Sequence, residues 1–454
     1  MLRYCRHHDE HAMDSIIGSG NLRGIAKGST DLVDNIIINM CDSGIIDLLD
    51  ERFDKRAQNT AVSFELLLAS SIAAKMKIHT SLTDIPYAIQ DPRTLGKLLC
   101  NATAKKDGLL TEGTIRNFIK KYDADDFFGF YNDTVQKIMK HKGLNPNIFM
   151  LDCTKIEVNL DNNNYENSTV GRDKDFKVAR GYKLATIRGI VGNTGIITDI
   201  EFGTIAQHDL PLSKDMVMNS KSFKEEDILI YDRGFSERGL IDYMKSERKV
   251  DIYTPLKKNM LAYKDTVPIA KEYNNWEPHP TRKGQKIQFV ENIGARWSPS
   301  SNNVQLNGCV IWIEETDEYM VIVTTDLKAS AKQIIKIYEL RPQIEEDYRQ
   351  LKDFWKIEDF KSTKYNTIAY HIMCVLFGYL FYQLYTISDE GKEYAGKILT
   401  TTANKAKVSL LDCYILYTDF IFYCIMSQTE FMEFYANSDE GLRLLIKEKM
   451  DMMS

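Results

Sequence analysis

The 454-residue chain has eight cysteines, at 5, 41, 100, 153, 309, 374, 413 and 424, and no C-x2-C pair among them. Without paired spacing they read as reduced, mostly buried thiols of a cytosolic protein. The N-terminal MLRYCRHHDE has no apolar h-region, so no signal peptide is expected. Positive charge is not in excess: the formal net charge is -6 and the pI about 5.9, which argues against wholesale coating of nucleic acid. Only one run, 368–387, is long enough to suggest a membrane span. His371, Gln383 and several tyrosines interrupt it, so it reads as a buried core helix, and no membrane partner is expected. There is no internal repeat or low-complexity tract. A chain of this length has room for two or three domains and at least one sizeable core.

Charge is nevertheless uneven. Residues 75–121 hold nine Lys/Arg against four Asp/Glu, 257–286 hold seven against three, and 171–189 six against two. Local patches of this kind can bind phosphate backbones in an acidic protein. Residues 1–147 read as helical, with apolar periodicity at 31–49 and 63–76, then 82–99 and 111–122. Short helices with local basic excess fit a DNA-reading module of helix-turn-helix type, and equally any all-α domain. From Asn147 the pattern changes to β-β-β-α-β-α-β, a mixed sheet with helices packed on it. A GNTG turn at 192–195 marks a hairpin, and NIFMLDCTKIEV and DILIY are strands carrying or leading to Asp152 and Asp232. The expected division is 1–147 helical, 148–256 the first part of an α/β core, and 257–318 a turn-rich, β-rich insertion. The second part of the core follows at 319–365, and 366–454 is again helical.

The sequence YELRPQIEEDYRQLK places Tyr338, Arg341, Glu345 and Lys352 in a Y-x2-R-x3-E-x6-K pattern. On one helix these fall at about 0°, 300°, 340° and 320°, a single arc. A carboxylate framed by a phenol and two cations suits a metal ion and the phosphates it works on. A solvated charged helix with i,i+4 pairs has the same composition. Pro342 either kinks this helix or starts a second one at its first position. Two aspartates on adjacent strands and a glutamate on a packing helix can hold two Mg²⁺ or Mn²⁺ ions. Such ions, about 3.5–4 Å apart, serve in-line phosphoryl displacement.

Four local sequences occur in order: Leu151-Asp152-Cys153-Thr154, Gly181-Tyr182-Lys183-Leu184, Tyr231-Asp232-Arg233-Gly234-Phe235, and the Tyr338 to Lys352 stretch. Together they resemble the DDE transposases of bacterial insertion sequences, in the branch defined by the YREK signature. The resemblance runs over about residues 148–365. It implies an RNase H-like catalytic fold with a β-rich insertion, and Asp152, Asp232 and Glu345 as the catalytic, metal-binding triad. It also implies that Tyr338, Arg341 and Lys352 grip the transposon-end backbone. The implied activity is cut-and-paste DNA transposition with two Mg²⁺ ions, for which Mn²⁺ can substitute. Cleavage would run through a hairpin and be followed by strand transfer. The implied partners are double-stranded DNA at the terminal inverted repeats and at the target, with a dimer on DNA. The implied setting is the bacterial cytoplasm, at the nucleoid. Two alternatives share the resemblance: an inactive or domesticated end-binding relative, and an RNase H-like nuclease that cuts without joining.

Arg233 and Lys183 are further candidates for phosphate contact, though each could pair with a carboxylate instead. Trp297 is the candidate platform for a flipped base, with a core role as the ordinary reading. Asp209 is expected to cap the helix beginning near Pro211. Glu346 and Asp347 lie about 100° and 200° round the helix from Glu345 and so do not replace it.

Overall fold

The computed structural model describes residues 19, 21–50, 53–56, 62–89, 94, 98, 110–172, 177–293, 304–398, 411–417 and 423–452. In chain order the elements open with β1 (Gly24–Thr30), α1 (Leu32–Asp42), α2 (Phe64–Met76), α3 (Glu112–Ile119) and α4 (Ala124–Lys142). Then come β2 (Ile148–Val158), β3 (Thr169–Arg172), β4 (Val178–Val191), β5 (Thr194–Thr204), α5 (Asp209–Asn219), β6 (Ile228–Tyr231), α6 (Arg238–Ser246) and β7 (Asp251–Pro255). They are followed by α7 (Leu261–Tyr273), β8 (Glu277–Pro278), β9 (Gln285–Ile293), β10 (Leu306–Ile313), β11 (Glu318–Thr324), α8 (Ala331–Tyr338) and α9 (Pro342–Asp353). The C-terminal elements are α10 (Tyr365–Thr386), β12 (Leu411–Tyr417), β13 (Tyr423–Ser427), α11 (Gln428–Asn437) and α12 (Glu440–Asp451). The chain forms two compact units, Tyr131–Gln350 and Met1–Phe130 with Leu351–Ser454.

The unit Tyr131–Gln350 is a mixed α/β fold on a ten-stranded sheet. Its heart is the order β5-β4-β2-β6-β7, antiparallel from β5 to β2 and parallel from β2 to β7. This arrangement is consistent with an RNase H-like domain. The β4–β5 hairpin turns at Gly192, whose φ of 58° is a left-handed conformation that glycine adopts without strain. Gly181 meets a different demand: at φ 152° a Cβ there would stand 2.0 Å from the Ile156 carbonyl oxygen of β2. Strands β6 and β7 are buried runs rather than alternating ones, as parallel strands covered on both faces must be. Leu229, Tyr231 and Ile252 join Leu240, Ile241 and Met244 of α6 and Val217 of α5 in one apolar core.

Segment 257–318 does not stand apart from this sheet. Strand β11 pairs with β7, and β10, β9 and β8 continue the same sheet outward. Helix α7 falls where the sequence reads as turns, because Pro268 sits inside it. Its left-handed terminator, Asn274 at φ 47°, is a residue type that tolerates that conformation.

In the other unit, α2 is buried on nearly every face, which explains its apolar run without a polar stripe. Ser71 of α2 accepts a 2.6 Å hydrogen bond from the Tyr370 hydroxyl of α10. Helix α10 is the one described helix long and apolar enough to cross a membrane, and 89% of its apolar window is buried inside the protein. The expectation of wholly helical terminal regions needs correction. Strands β1, β12 and β13 form an antiparallel sheet, with Leu22, Ile25, Leu416, Phe431 and Ile446 as its small core. These strands are short and scattered, and β1 (GIAKGST) holds two glycines, so no local alternation announces its pairing with a segment almost four hundred positions away.

Candidate active site

Asp152 lies midway along β2, directly opposite Thr186 of β4. On its other side, β2 runs parallel to β6, where Leu151 is in register with Tyr231. Asp152 and Asp232 therefore follow a paired position on adjacent parallel strands, at the carboxyl end of β6, where open α/β sheets place their ligands. Asp232 ends its strand by starting a short 3-10 turn, Arg233–Phe235. Its carboxylate makes no hydrogen bond or ion pair among the described residues.

The second of the two Pro342 geometries is the one observed. Helix α8 ends at Tyr338, and α9 begins with Pro342 in its first turn, where the missing N–H costs no hydrogen bond. Tyr338 and Arg341 thus belong to the end of one helix and the link to the next, not to one continuous face with Glu345. The link is tight, with Arg341 N–H donating to the Tyr338 carbonyl at 3.0 Å and Ile344 N–H to that of Arg341 at 3.2 Å. It turns Arg341 toward the acids. Its guanidinium donates to Asp152 Oδ2 at 2.9 Å and also pairs with Glu345.

Electrostatics record the same gathering. Burial pushes the Asp152 carboxyl up to about 6, against the lowering effect of Arg341 and of the Cys153 N–H, while Glu345 and Asp232 push it further up. Burial also raises the Tyr338 phenol, to about 12, with Asp232, Asp152 and Glu345 adding to the rise and Arg341 opposing it. For Arg341, burial alone would weaken the hold on its proton; Asp152, Glu345 and Asp232 outweigh it and the pKa moves up. The sequence-selected acids, phenol and guanidinium therefore share one electrostatic neighbourhood.

Other expected residues are placed differently. Lys183 is nearly buried and pairs with Asp209 at 2.7 Å and with the Gln207 carbonyl. Asp209 is accordingly an ion-pair partner rather than the expected helix cap; the cap position is His208, with no side-chain hydrogen bond. Arg233 is exposed and has no ion pair among the described residues. Lys352 lies two turns beyond Glu345 on α9 and pairs with Glu358 at 3.2 Å. Trp297 lies outside the described residues. Several cations of 257–286 are engaged with acids: Lys258 with Glu318, Lys286 with Glu314, and Arg282 with Glu339.

The sequence reading missed Tyr348 altogether, and of Asp347 saw only that it does not replace Glu345. Tyr348 donates to the Asp152 carbonyl at 2.7 Å and lies 2.7 Å from Thr186 Oγ1. Asp347 pairs with Arg188 of β4 at 2.6 Å, both nearly buried. The available signal was the spacing Ile344, Tyr348, Leu351, an i, i+4, i+7 stripe that is buried in the fold.

Among the described residues no three His, Cys, Asp or Glu side chains stand ready as a metal cage. The donor chemistry still fits a divalent cation: three carboxylates within mutual electrostatic reach, and a cationic guanidinium already shared by two of them. Oxygen donors of this kind suit Mg²⁺ or Mn²⁺.

A mixed sheet with one acid midway along β2 and another at the end of the adjacent parallel strand β6, joined by Glu345 of α9, is consistent with an RNase H-like transposase domain. Residues 174–381 match the family model described as the transposase DDE domain. The match covers a little under half of the chain and takes in Asp232, Tyr338, Arg341, Glu345 and Lys352, while Asp152 precedes it. It supports a place in the DDE transposase family and an enzyme of the transposase or nuclease type acting on DNA. No curated protein matches the chain.

Proposed function

We propose that the protein is a metal-dependent DNA transposase of the YREK branch that excises and reinserts its own element. The observation that carries this reading is the meeting of Asp152, Asp232 and Glu345 around Arg341, within a chain whose matched region is the transposase DDE domain. Asp152, Asp232 and Glu345 hold two Mg²⁺ ions, or Mn²⁺ in their place. Bound there, the metal supplies Lewis-acid stabilisation of charge on the phosphate and lowers the pKa of the attacking water.

The chain's own groups do the remaining work. Asp152 must be ionised to bind a cation, and with its carboxyl near 6 it reaches that state at neutral pH. Arg341 is the countercharge that keeps Asp152 and Glu345 together before DNA arrives, and it turns to a backbone phosphate when the duplex is seated. Tyr338 stays protonated at working pH and donates to a phosphate oxygen. Exposed Arg233, and Lys352 on exchanging its Glu358 partner for a phosphate, extend the backbone grip, Trp297 receives a flipped base in a hairpin route, and a dimer joins the two ends. Lys183 is better read as the partner of Asp209 than as a DNA contact.

The test is a joining assay on duplexes carrying the DNA that flanks this gene. Hairpin-ended excision products and strand-transfer products in Mg²⁺ support the transposase. Nicks without joined products favour a nuclease of the same fold, and a retarded but uncut duplex favours an end-binding relative.

A further inference from the structure

Helix α9 is braced to the sheet from two sides, and the brace touches the backbone of a proposed metal ligand. The Asp152 carbonyl oxygen can only accept a hydrogen bond, so the single Tyr348 hydroxyl hydrogen points to it. The Thr186 hydroxyl, 2.7 Å from Tyr348 Oη, must then be the donor of that second bond. The result is a directed chain from Thr186 of β4, through Tyr348 of α9, to Asp152 of β2, and Thr186 and Asp152 are themselves cross-strand partners. A second anchor lies farther round the helix. Gln343 and Asp347, one turn apart, both receive the Arg188 guanidinium, at 3.1 and 2.6 Å. Space for that guanidinium is reserved by Gly195 of β5, where a Cβ would stand 2.1 Å from Arg188 Cζ.

We infer that Tyr348 is a positioning residue: its hydroxyl fixes the helix bearing Glu345 against the strand bearing Asp152, and so sets the separation of the two carboxylates. The inference rests on the proposed function, because it assigns the brace a role in metal binding. The Arg188 pair holds the helix near Gln343 and Asp347, while Tyr348, three residues after Glu345, ties it to the strand of Asp152 itself. Ile344 is buried beside Glu345, whose own side chain is about half exposed, so burial fixes the helix there but does not by itself fix the carboxylate.

The test uses the full-length protein, with Mn²⁺ binding measured directly by the loss of the free-ion EPR signal and cleavage measured against Mg²⁺ concentration. Tyr348→Phe keeps the ring and removes only the hydroxyl. Its Mn²⁺ dissociation constant and its half-saturating Mg²⁺ should both rise about tenfold, as for other groups that orient a metal ligand. The rate at saturating Mg²⁺ should change much less. Thr186→Val, which removes the first donor of the chain, should weaken Mn²⁺ binding in the same direction, and Thr186→Ser should restore it. Should Tyr348→Phe fail to fold, the Thr186 pair alone decides. A lowered melting temperature with unchanged Mn²⁺ affinity of the folded variants would show the brace to be structural only. A wild type that neither binds Mn²⁺ nor cuts overturns the reading of the site itself, and the role of the brace with it.

Discussion

Asp152→Asn should make the metal-free protein more stable at neutral pH. In the folded state burial holds the Asp152 carboxyl at about 6, against an ordinary value of 3.8. Between those pH values the unfolded chain has lost this proton and the folded chain still holds it, so stability falls as pH rises. The contribution is complete below about 3.8 and gone once pH has passed about 6. A difference of about two pKa units at 1.36 kcal/mol each comes to about 3 kcal/mol. The side chain is only 15% exposed, so solvent screening takes little of it away. Asparagine imitates the protonated acid at every pH and avoids the loss. Urea unfolding in EDTA, from pH 4 to pH 7.5, should show the two proteins matched near pH 4 and the variant ahead by about 3 kcal/mol at pH 7. Added Mg²⁺ should then raise the stability of the wild type alone, because binding to the folded state adds RT ln(1 + [L]/Kd). A variant no more stable than the wild type at pH 7 would mean that the Arg341 pair, not burial, governs this carboxylate.

Gly195→Ala should cost about 1–3 kcal/mol in denaturant unfolding, because the new Cβ, 2.1 Å from Arg188 Cζ, pushes the guanidinium out of its nearly buried pairing with Asp347. Gly129→Ala is the control: nothing lies within 4 Å of its Cβ, and the helix should gain about 0.5–1 kcal/mol. His371 is buried and its pKa depressed to about 3, so the unfolded chain takes up a proton below about 6.5 that the folded one refuses. Its contribution is present above pH 6.5 and is lost as pH falls toward 3. From pH 6.5 to pH 5 the wild type should lose about 2 kcal/mol more than His371→Gln. Arg233→Ala should leave stability unchanged, weaken binding to duplex DNA of any sequence, and lower the salt slope of log K by about 1.

Much of the site was legible because its chemistry is written in short motifs. Asp232 closes an apolar strand, and Glu345 stands at a fixed offset from Tyr338 and Arg341; spacing alone did not select them, but the ordered motifs around them resemble those of the DDE transposases. The offsets did not reveal that Arg341 would reach Asp152, since a proline starting a new helix redirects the chain in a way a single helical wheel does not describe. The brace was less visible still. Tyr348, Thr186 and Arg188 acquire their roles only when α9 lands on β4, and each is an ordinary residue in its own segment. In the fold, the hairpin and the parallel strands followed from turn chemistry and apolar runs. Helix α7 was hidden by Pro268, and the β1-β12-β13 sheet by the long separation of its strands.

We propose that the carboxylates midway along β2, at the end of β6 and on α9 run metal-dependent phosphoryl transfer on DNA. The most direct measurement is cleavage of an end-labelled duplex carrying the flanking DNA, in Mg²⁺ and in EDTA, with wild type and Asp232→Asn side by side. Nicking at the element boundary that needs Mg²⁺ and disappears in Asp232→Asn is the predicted result. Cleavage that survives EDTA or the substitution, or an intact duplex with wild type in both Mg²⁺ and Mn²⁺, would contradict the claim.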